Sequence, residues 1–158
     1  NSTTCSFDVI VTDNEDPTIT CPDPINVNVD AGTDGAVVTY TTPVGTDNNA
    51  SGTVTTTQIA GLPSGSLFPV GTTTNTFEVT DAAGNSTICS FDVIVTDNED
   101  PTITCPDPIN VNVDAGTDGA VVTYTTPVGT DNNASGTVTT TQIAGLPSGS
   151  LFPVGTTT

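Results

Sequence analysis

The chain repeats its own sequence. Residues 85–158 copy residues 1–74 with a single substitution, Ile88 in place of Thr4, which gives a period of 84 residues (from 4 to 88). Solenoid and propeller repeats have periods of roughly 20 to 50 residues, whereas the longer unit in this chain suits one small, self-contained domain. The sequence is therefore interpreted as a stretch of a tandem array of domains.

All the charged side chains are acidic. The sequence has 18 Asp and Glu residues and no Lys, Arg or His, for a formal charge of −18. A nucleic-acid partner is excluded because no cationic side chain can neutralise phosphates, and adsorption to an anionic membrane surface is excluded for the same reason. No apolar run approaches the ~20 residues that span a bilayer, so membrane insertion is not expected.

Short strands are predicted throughout the period. Apolar and polar residues alternate between clusters of Gly, Pro, Asn and Asp, and no stretch has a sustained helical period. About seven strands per 84-residue repeat predict an all-β fold of tandem immunoglobulin-like or fibronectin-III-like β-sandwiches. The predicted strands are 18–21, 25–29, 36–42, 53–59, 66–69, 77–79 and 89–96. The predicted core residues are Ile19, Val27, Val29, Val38, Tyr40, Ile59, Phe68, Phe77, Val79, Phe91 and Val93.

The phase of the repeat divides the chain into three parts. Residues 1–16 match the last strand of a preceding repeat plus its linker, residues 17–100 form one complete repeat, and residues 101–158 begin another that is incomplete. A stretch of a longer array explains this pattern most simply. If the molecule ended at these residues, the first strand of one chain could complete the last domain of another by strand addition.

The four cysteines allow three pairings. In a sandwich of this kind the first and last strands run parallel, which puts Cys21 and Cys89 near the same end of the domain. We therefore expect a Cys21–Cys89 disulfide, with Cys5 and Cys105 paired outside this sequence. The alternatives are Cys5–Cys21 together with Cys89–Cys105, and unpaired buried thiols. A disulfide implies an oxidising, extracellular setting.

Several segments resemble the HYR (hyalin repeat) family of extracellular and cell-surface modules. They span the period in the right order and are Ile19–Pro22, Ala36–Val38, Thr46–Asn48, Ser64–Thr73 and Thr80–Asn85 leading into Cys89–Phe91. The resemblance implies an immunoglobulin-like sandwich that acts as an adhesion or spacer module without a catalytic role. The family often has a second cysteine pair, and both of its positions, near Asp34 and at Asn49, lack cysteine here. Their joint loss supports pairing of the two cysteines that remain.

Two acidic linkers lie one period apart. Carboxylates this close repel one another unless a cation intervenes, and calcium takes about six to eight oxygen ligands. The linkers are also similar to the calcium-binding linkers between cadherin repeats. Their side chains are Asp13, Asn14, Glu15 and Asp16 in the first and Asp97, Asn98, Glu99 and Asp100 in the second.

Each linker is expected to meet two loops of the domain that follows it. In an immunoglobulin-like topology these loops lie at the same end as the linker and carry Asp47 and Asp81 in the complete repeat. We therefore predict a calcium site formed by the first linker with Asp47 and Asp81, repeated by the second linker with Asp131. The alternative is that these acids only solvate turns, in which Asp and Asn are frequent.

The predicted function is structural. Near-identical acidic repeats look like giant bacterial surface adhesins, appendage proteins or extracellular filament proteins, in which repeats join end to end and like chains associate in a fibre. The alternative is a calcium-dependent adhesion module that binds a ligand or glycan through its loops. An enzyme is not expected, because no His or Lys can serve as a base. Asn85 lies in a glycosylation sequon, as do Asn1 and Asn49.

Overall fold

The protein is all-β, as the sequence predicted. A computed structural model describes residues 1–49, 52–133 and 136–158, and the chain divides into two compact units, Asn1–Asp97 and Asn98–Thr158. Among these described residues, no helix has the length and apolar character needed to cross a bilayer.

The first unit is built from two sheets that enclose a core. A four-stranded sheet has the order β1-β6-β5-β3, and β2 pairs with β4 in a two-stranded sheet. Strand β6 is central, because it pairs antiparallel with β5 on one side and parallel with β1 on the other. The strands are β1 Ile25–Asn28, β2 Gly35–Val38, β3 Thr55–Ala60, β4 Ser66–Pro69, β5 Gly71–Thr80 and β6 Ser86–Thr96.

The described part of this unit has six strands, not the seven expected. The predicted strand 18–21 is reduced to a single bridge between Thr18 and Thr46. Pro17 and Pro22 flank this segment, and proline has no N–H to donate to a ladder. Strand β5 begins six residues earlier than predicted, at 71 instead of 77, because its first half is a threonine-rich stretch that favours strand without an apolar alternation.

The core lies between the sheets and is formed by alternate residues of β5 and β6 together with β2 and β4. Phe68, Val79 and Val93 are completely buried, and the ring of Tyr40 packs edge-on against Phe91 at 5.0 Å between centroids. The remaining buried core residues of this unit are Val29, Ala36, Val38, Phe77 and Val95.

Ile59 was wrongly predicted to be in the core. Its side chain is 52% exposed, because it alternates with the half-buried Thr56 and Gln58 and so lies on the outer face of β3. Gln58 faces inward, and its side-chain amide donates to the carbonyl oxygen of Leu62 and to Oδ1 of the buried Asn75, each at 3.1 Å.

One disulfide joins Cys21 to Cys89, with 5.7 Å between the Cα atoms. The parallel register pairs Ile25 with Val93. Cys21 lies four residues before Ile25, and Cys89 lies four residues before Val93. The two sulfurs therefore meet where the chain approaches β1 and crosses the first half of β6. Cys5 and Cys105 are exposed free thiols.

The second unit contains fewer strands among its described residues. Strand β7, Gly119–Val122, pairs with β8, Ser150–Pro153, in the same register as β2 with β4. Residues 109–112 have the sequence of β1 but form no strand. In the first unit the corresponding strand β1 pairs with β6.

Removing the Cys21–Cys89 bridge is expected to lower the free energy of unfolding. The bridge closes a loop with a sequence separation of 68 residues, for which chain entropy alone gives an upper value of about 4.4 kcal/mol. Urea unfolding of the double variant Cys21→Ser, Cys89→Ser should show a loss of roughly 2–4 kcal/mol. The matched control, Cys5→Ser with Cys105→Ser, alters two exposed thiols and should leave the transition unchanged.

Candidate metal centre

The linker before the first repeat is held against the loop that follows residue 45. Thr18 and Thr46 exchange two backbone hydrogen bonds of 2.8 Å, and Pro17 is fully buried next to this bridge. Because Asp13 lies a few residues before Pro17 and Asp47 follows Thr46 directly, the bridge brings the two acidic segments together.

The turn between β5 and β6 supplies a third carboxylate. Asp81 Oδ1 accepts hydrogen bonds from the N–H groups of Gly84 at 2.7 Å and Asn85 at 2.8 Å, and Oδ2 accepts one from the Asn85 side-chain amide at 2.8 Å. Gly84 has a φ of +97°, which a residue with a side chain rarely adopts. These contacts fix Asp81, which is only 7% exposed, at the end of the sheet nearest the linker.

Asp13, Asp47 and Asp81 converge at this end of the first unit. One carboxylate oxygen from each lies within 4.8 Å of the other two, and Asp81 is buried whereas the other two are half-buried. The sequence has no Lys, Arg or His to balance their charge. Within residues 1–49, 52–133 and 136–158, this is the one group of three acidic or metal-ligating side chains so arranged.

Asparagine side chains frame the three carboxylates. The amide of Asn49 donates to Asp13 Oδ2 at 3.2 Å, and the amide of Asn48 donates to Glu15 Oε2. The amide of Asn85 reaches the carbonyl oxygen of Asp13 at 3.5 Å in addition to Asp81. Sequence reasoning placed these residues in the right loops but missed their role as donors. The signal was present, since each asparagine lies one to four residues after an acidic turn residue.

The hydrogen bonds at the β5–β6 turn keep Asp81 ionised. Burial by itself would raise its pKa, but the Asn85 side chain and the N–H groups of Asn85, Gly84 and Ala83 together lower the pKa below its ordinary value. An ionised carboxylate is ready to bind a cation. It is poorly suited to general-acid catalysis in a glycosidase, which needs a raised pKa.

The other predicted ligands do not join this group. Asn14 and Asp16 are exposed. Glu15 bonds Asn48, and its N–H donates to Asp13 Oδ1 at 3.2 Å. Asp97 ends the first unit, while Asn98, Glu99 and Asp100 begin the second.

The second unit contains a counterpart of one loop. Asp131 accepts a hydrogen bond of 2.9 Å from the N–H of Asn133, as Asp47 does from Asn49 at 3.4 Å. The loop geometry is thus repeated in the part of the second unit that the structure describes.

The sequons have different surroundings. Asn85 is half-buried, and the nitrogen that would carry a glycan is the one that donates to Asp81 and Asp13. Asn1 is exposed. The Asn49 sequon continues into residues 50 and 51, which lie outside the described residues.

Comparison with known proteins identifies the module. The profile of the HYR domain matches residues 12–95 and again residues 96–158. The chain belongs to the HYR family. The resemblance found in the sequence is therefore confirmed, and the two matches have the period of the internal repeat.

Relatives of this HYR chain are found in large proteins. It is 38% identical to hyalin of Lytechinus variegatus across 98% of this chain and 29% of that protein. It is 32% identical to hyalin of Strongylocentrotus purpuratus, covering 94% of this chain and 12% of that protein. It is also 32% identical to the sushi, von Willebrand factor type A, EGF and pentraxin domain-containing protein 1 of Rattus norvegicus. This match covers 92% of this chain and 4% of that protein. The chain thus spans less than a third of each of these relatives.

Replacing Asp81 by Asn is expected to destabilise the metal-free repeat at neutral pH but not in acid. A carboxyl group whose folded-state pKa is lowered stabilises the fold above its unfolded pKa of about 3.9, and this contribution is lost as the pH falls through the folded-state pKa. Urea unfolding in chelator should show the difference between wild type and Asp81→Asn shrinking as the pH falls from 7 to 2.5.

The control is Asp34→Asn, which alters an exposed carboxylate. Its stability difference from wild type should stay small throughout this pH range. A variant Asp81→Asn more stable than wild type at pH 7 would contradict the prediction, since repulsion from Asp13 and Asp47 would then outweigh the hydrogen bonds.

Proposed function

We propose that this HYR chain is an extracellular structural repeat, part of a stiff stalk or filament of an adhesion protein, whose domain junctions are stabilised by calcium. The observation that carries the proposal is the meeting of Asp13, from the linker, with Asp47 and Asp81, from two loops of the repeat that follows it. A cation bound by all three would tie the linker to the repeat.

The donor set suits calcium. Three carboxylates offer up to six hard oxygen atoms, and calcium prefers oxygen ligands in a flexible geometry, whereas magnesium demands a near-ideal octahedron. A divalent cation would also relieve the repulsion among the three charges, which no cationic side chain in the sequence can do.

The surroundings of the carboxylates support a prepared site. Asn49, Asn85 and two backbone N–H groups hold Asp13 and Asp81 through hydrogen bonds. Side chains that are already positioned lose less conformational entropy when a ligand binds, so less of the binding energy is spent on ordering them.

Two features favour a junction over a ligand-binding loop. The linker itself contributes Asp13, so the chain supplies its own third ligand to a cation. The loop residues Asp47–Asn49 recur unchanged as Asp131–Asn133, which suits a spacer copied for length. The disulfide between Cys21 and Cys89 supports an oxidising compartment outside the cell.

Calcium should raise the melting temperature of the chain. At a free concentration one hundred times the Kd, binding stabilises the folded state by about 2.7 kcal/mol, which for a domain of this size is roughly 10 °C or more. Calorimetry with calcium and with chelator measures the shift, and magnesium at the same concentration should produce a smaller one.

Asp47→Asn is the variant of choice, because Asp81 also holds the β5–β6 turn. It should remove most of the calcium-dependent shift, whereas Asp34→Asn, an exposed acid outside the group, should retain it. Superimposable melting curves with calcium and with chelator would refute the metal site.

Calcium should also stiffen an array. Small-angle X-ray scattering of a chain of four periods should give a larger radius of gyration and a narrower distance distribution with calcium than with chelator. Asp47→Asn in every period should give the chelator profile in both conditions. Equal profiles for the wild-type array, combined with a normal calcium shift in calorimetry, would leave the metal site in place and reject the stiff stalk.

A further inference from the structure

A long stretch of the complete repeat carries no charge. The sequence has 18 acidic side chains, and none of them lies between residues 48 and 77. This stretch contains β3, β4 and the first half of β5. The short connection 61–65 leads from β3, at the edge of the four-stranded sheet, to β4 in the other sheet. Residues 55–69 therefore line one side of the first unit, which we term the neutral flank.

Strand β3 is the sheet edge on the neutral flank. Among the described residues of the first unit it pairs with β5 and has no strand on its other side, while β1 forms the opposite edge of the same sheet. Thr55, Thr57 and Ile59 are exposed, and threonine and isoleucine favour strands. Because an edge strand presents unpaired N–H and C=O groups, the backbone of β3 can pair with a further strand.

The edge of β2 is closed by the turn that precedes it. The N–H of Val37 donates to Asp30 Oδ2 at 2.8 Å, and the carbonyl oxygen of Gly35 accepts a bond of 2.6 Å from the Thr33 hydroxyl. These groups already have partners within the chain, so β2 does not offer them to another strand.

Prolines and charges mark the edges formed by β1 and β4. Strand β1 directly follows Pro24 and lies between Asp23 and Asp30, and β4 ends with Pro69, which has no N–H to donate. Such residues prevent pairing at a sheet edge. Strand β3 contains neither a charge nor a proline. Its register shift falls at its end, after Gln58, so most of β3 can accept a regular partner.

The charge of the chain selects the occupant of this edge. A cationic partner would be attracted to the acidic surfaces that lie outside the neutral flank. A second copy of this chain is repelled by those surfaces, because juxtaposed like charges are unfavourable. Two copies can approach closely where neither is charged, which is at their neutral flanks.

The acid nearest to this edge is too far from its counterpart to prevent the approach. Glu78 lies on β5 opposite Thr57 of β3. In a pair of copies joined through β3, the two Glu78 side chains are separated by at least three inter-strand spacings, or about 14 Å. The Debye length at physiological ionic strength is about 8 Å, so their repulsion is largely screened.

We propose that β3 of one copy pairs antiparallel with β3 of a second copy, so that two chains associate side by side. The contact is isologous, because both copies use the same strand. The two-fold axis passes near Thr57, which lies opposite its own counterpart, and threonine pairs stabilise neighbouring strands. This contact is lateral and so goes beyond the calcium-stabilised junctions, which join repeats end to end.

A single strand pair is a weak contact. It buries less than the roughly 1,200 Å² of a stable interface, so the Kd of one pair should be on the order of 0.1–1 mM. The sequence of β3 recurs one period later, at 139–144. In an array of complete repeats each period offers the same strand, and many weak contacts acting together give tight lateral association.

Nuclear magnetic resonance of the nitrogen-15-labelled full chain tests which surface is used. Cys5→Ser with Cys105→Ser removes the exposed thiols, and chelator removes calcium. As the chain is concentrated from about 20 µM to about 1 mM, amide shifts should grow and should be largest in β3. Those of β1, at the opposite edge of the sheet, should stay constant.

A charge placed on β3 tests the contact itself. Thr57→Asp brings two carboxylates together at the two-fold axis, so sedimentation equilibrium in chelator should show a Kd raised at least about tenfold. The matched control, Asn26→Asp, puts the same charge at an exposed position of β1 and should change the Kd far less. The melting temperature of each variant verifies that it folds.

The salt dependence of the wild type provides a measurement without any variant. Raising the ionic strength from about 0.01 M to about 0.15 M shortens the Debye length from about 30 Å to about 8 Å. Repulsion between the acidic surfaces then decreases, so the Kd should fall several-fold. A contact held by oppositely charged groups would weaken instead.

Four results would overturn the proposal. They are a wild-type chain that stays monomeric at the highest concentration, amide shifts that are largest in β1 or β2, an equal effect of Thr57→Asp and Asn26→Asp, and a Kd that rises with salt. All of these measurements are made in chelator, so their failure is distinct from failure of the metal site.

Discussion

The pairing of β6 with both β1 and β5 is the constraint on which the first repeat depends. It places Phe91, Val93 and Val95 in the core and brings Cys89 to Cys21. The same β5–β6 hairpin presents Asp81 at the end of the sheet where the linker arrives.

The acidic end of the repeat follows from this framework and from composition together. A sequence without Lys, Arg or His cannot neutralise a group of carboxylates internally. The fold nevertheless collects three of them and points amide and backbone N–H groups at two. Such donors stabilise the ionised form, as the lowered pKa of Asp81 shows. The arrangement thus maintains negative charge at the junction with the linker instead of dispersing it.

Strand positions and the meeting of Asp13, Asp47 and Asp81 could be anticipated, because alternation marks half-buried strands and the topology sends two loops to one end. Ile59 was wrongly placed in the core, although its phase in β3, opposite to that of Val54, Thr56 and Gln58, puts it on the outer face. The reduction of the strand 18–21 to a single bridge at Thr18 and the early start of β5 were also not predicted, because prolines and threonines contribute no apolar alternation. The asparagine amides were seen as turn residues, and their donor role depends on distances that only the folded chain defines.

The position of the disulfide determines how the repeat carries tension. Tension applied along the chain enters the repeat just before Cys21 and passes through the disulfide to Cys89, which lies close to the end of the repeat. The segment between the two cysteines, with a sequence separation of 68, therefore carries no load. Even if the sheets were to separate, only the short segments outside the bridge could lengthen. A repeat closed by this bridge therefore has a nearly constant length under tension, with the load borne by covalent bonds and not by its core.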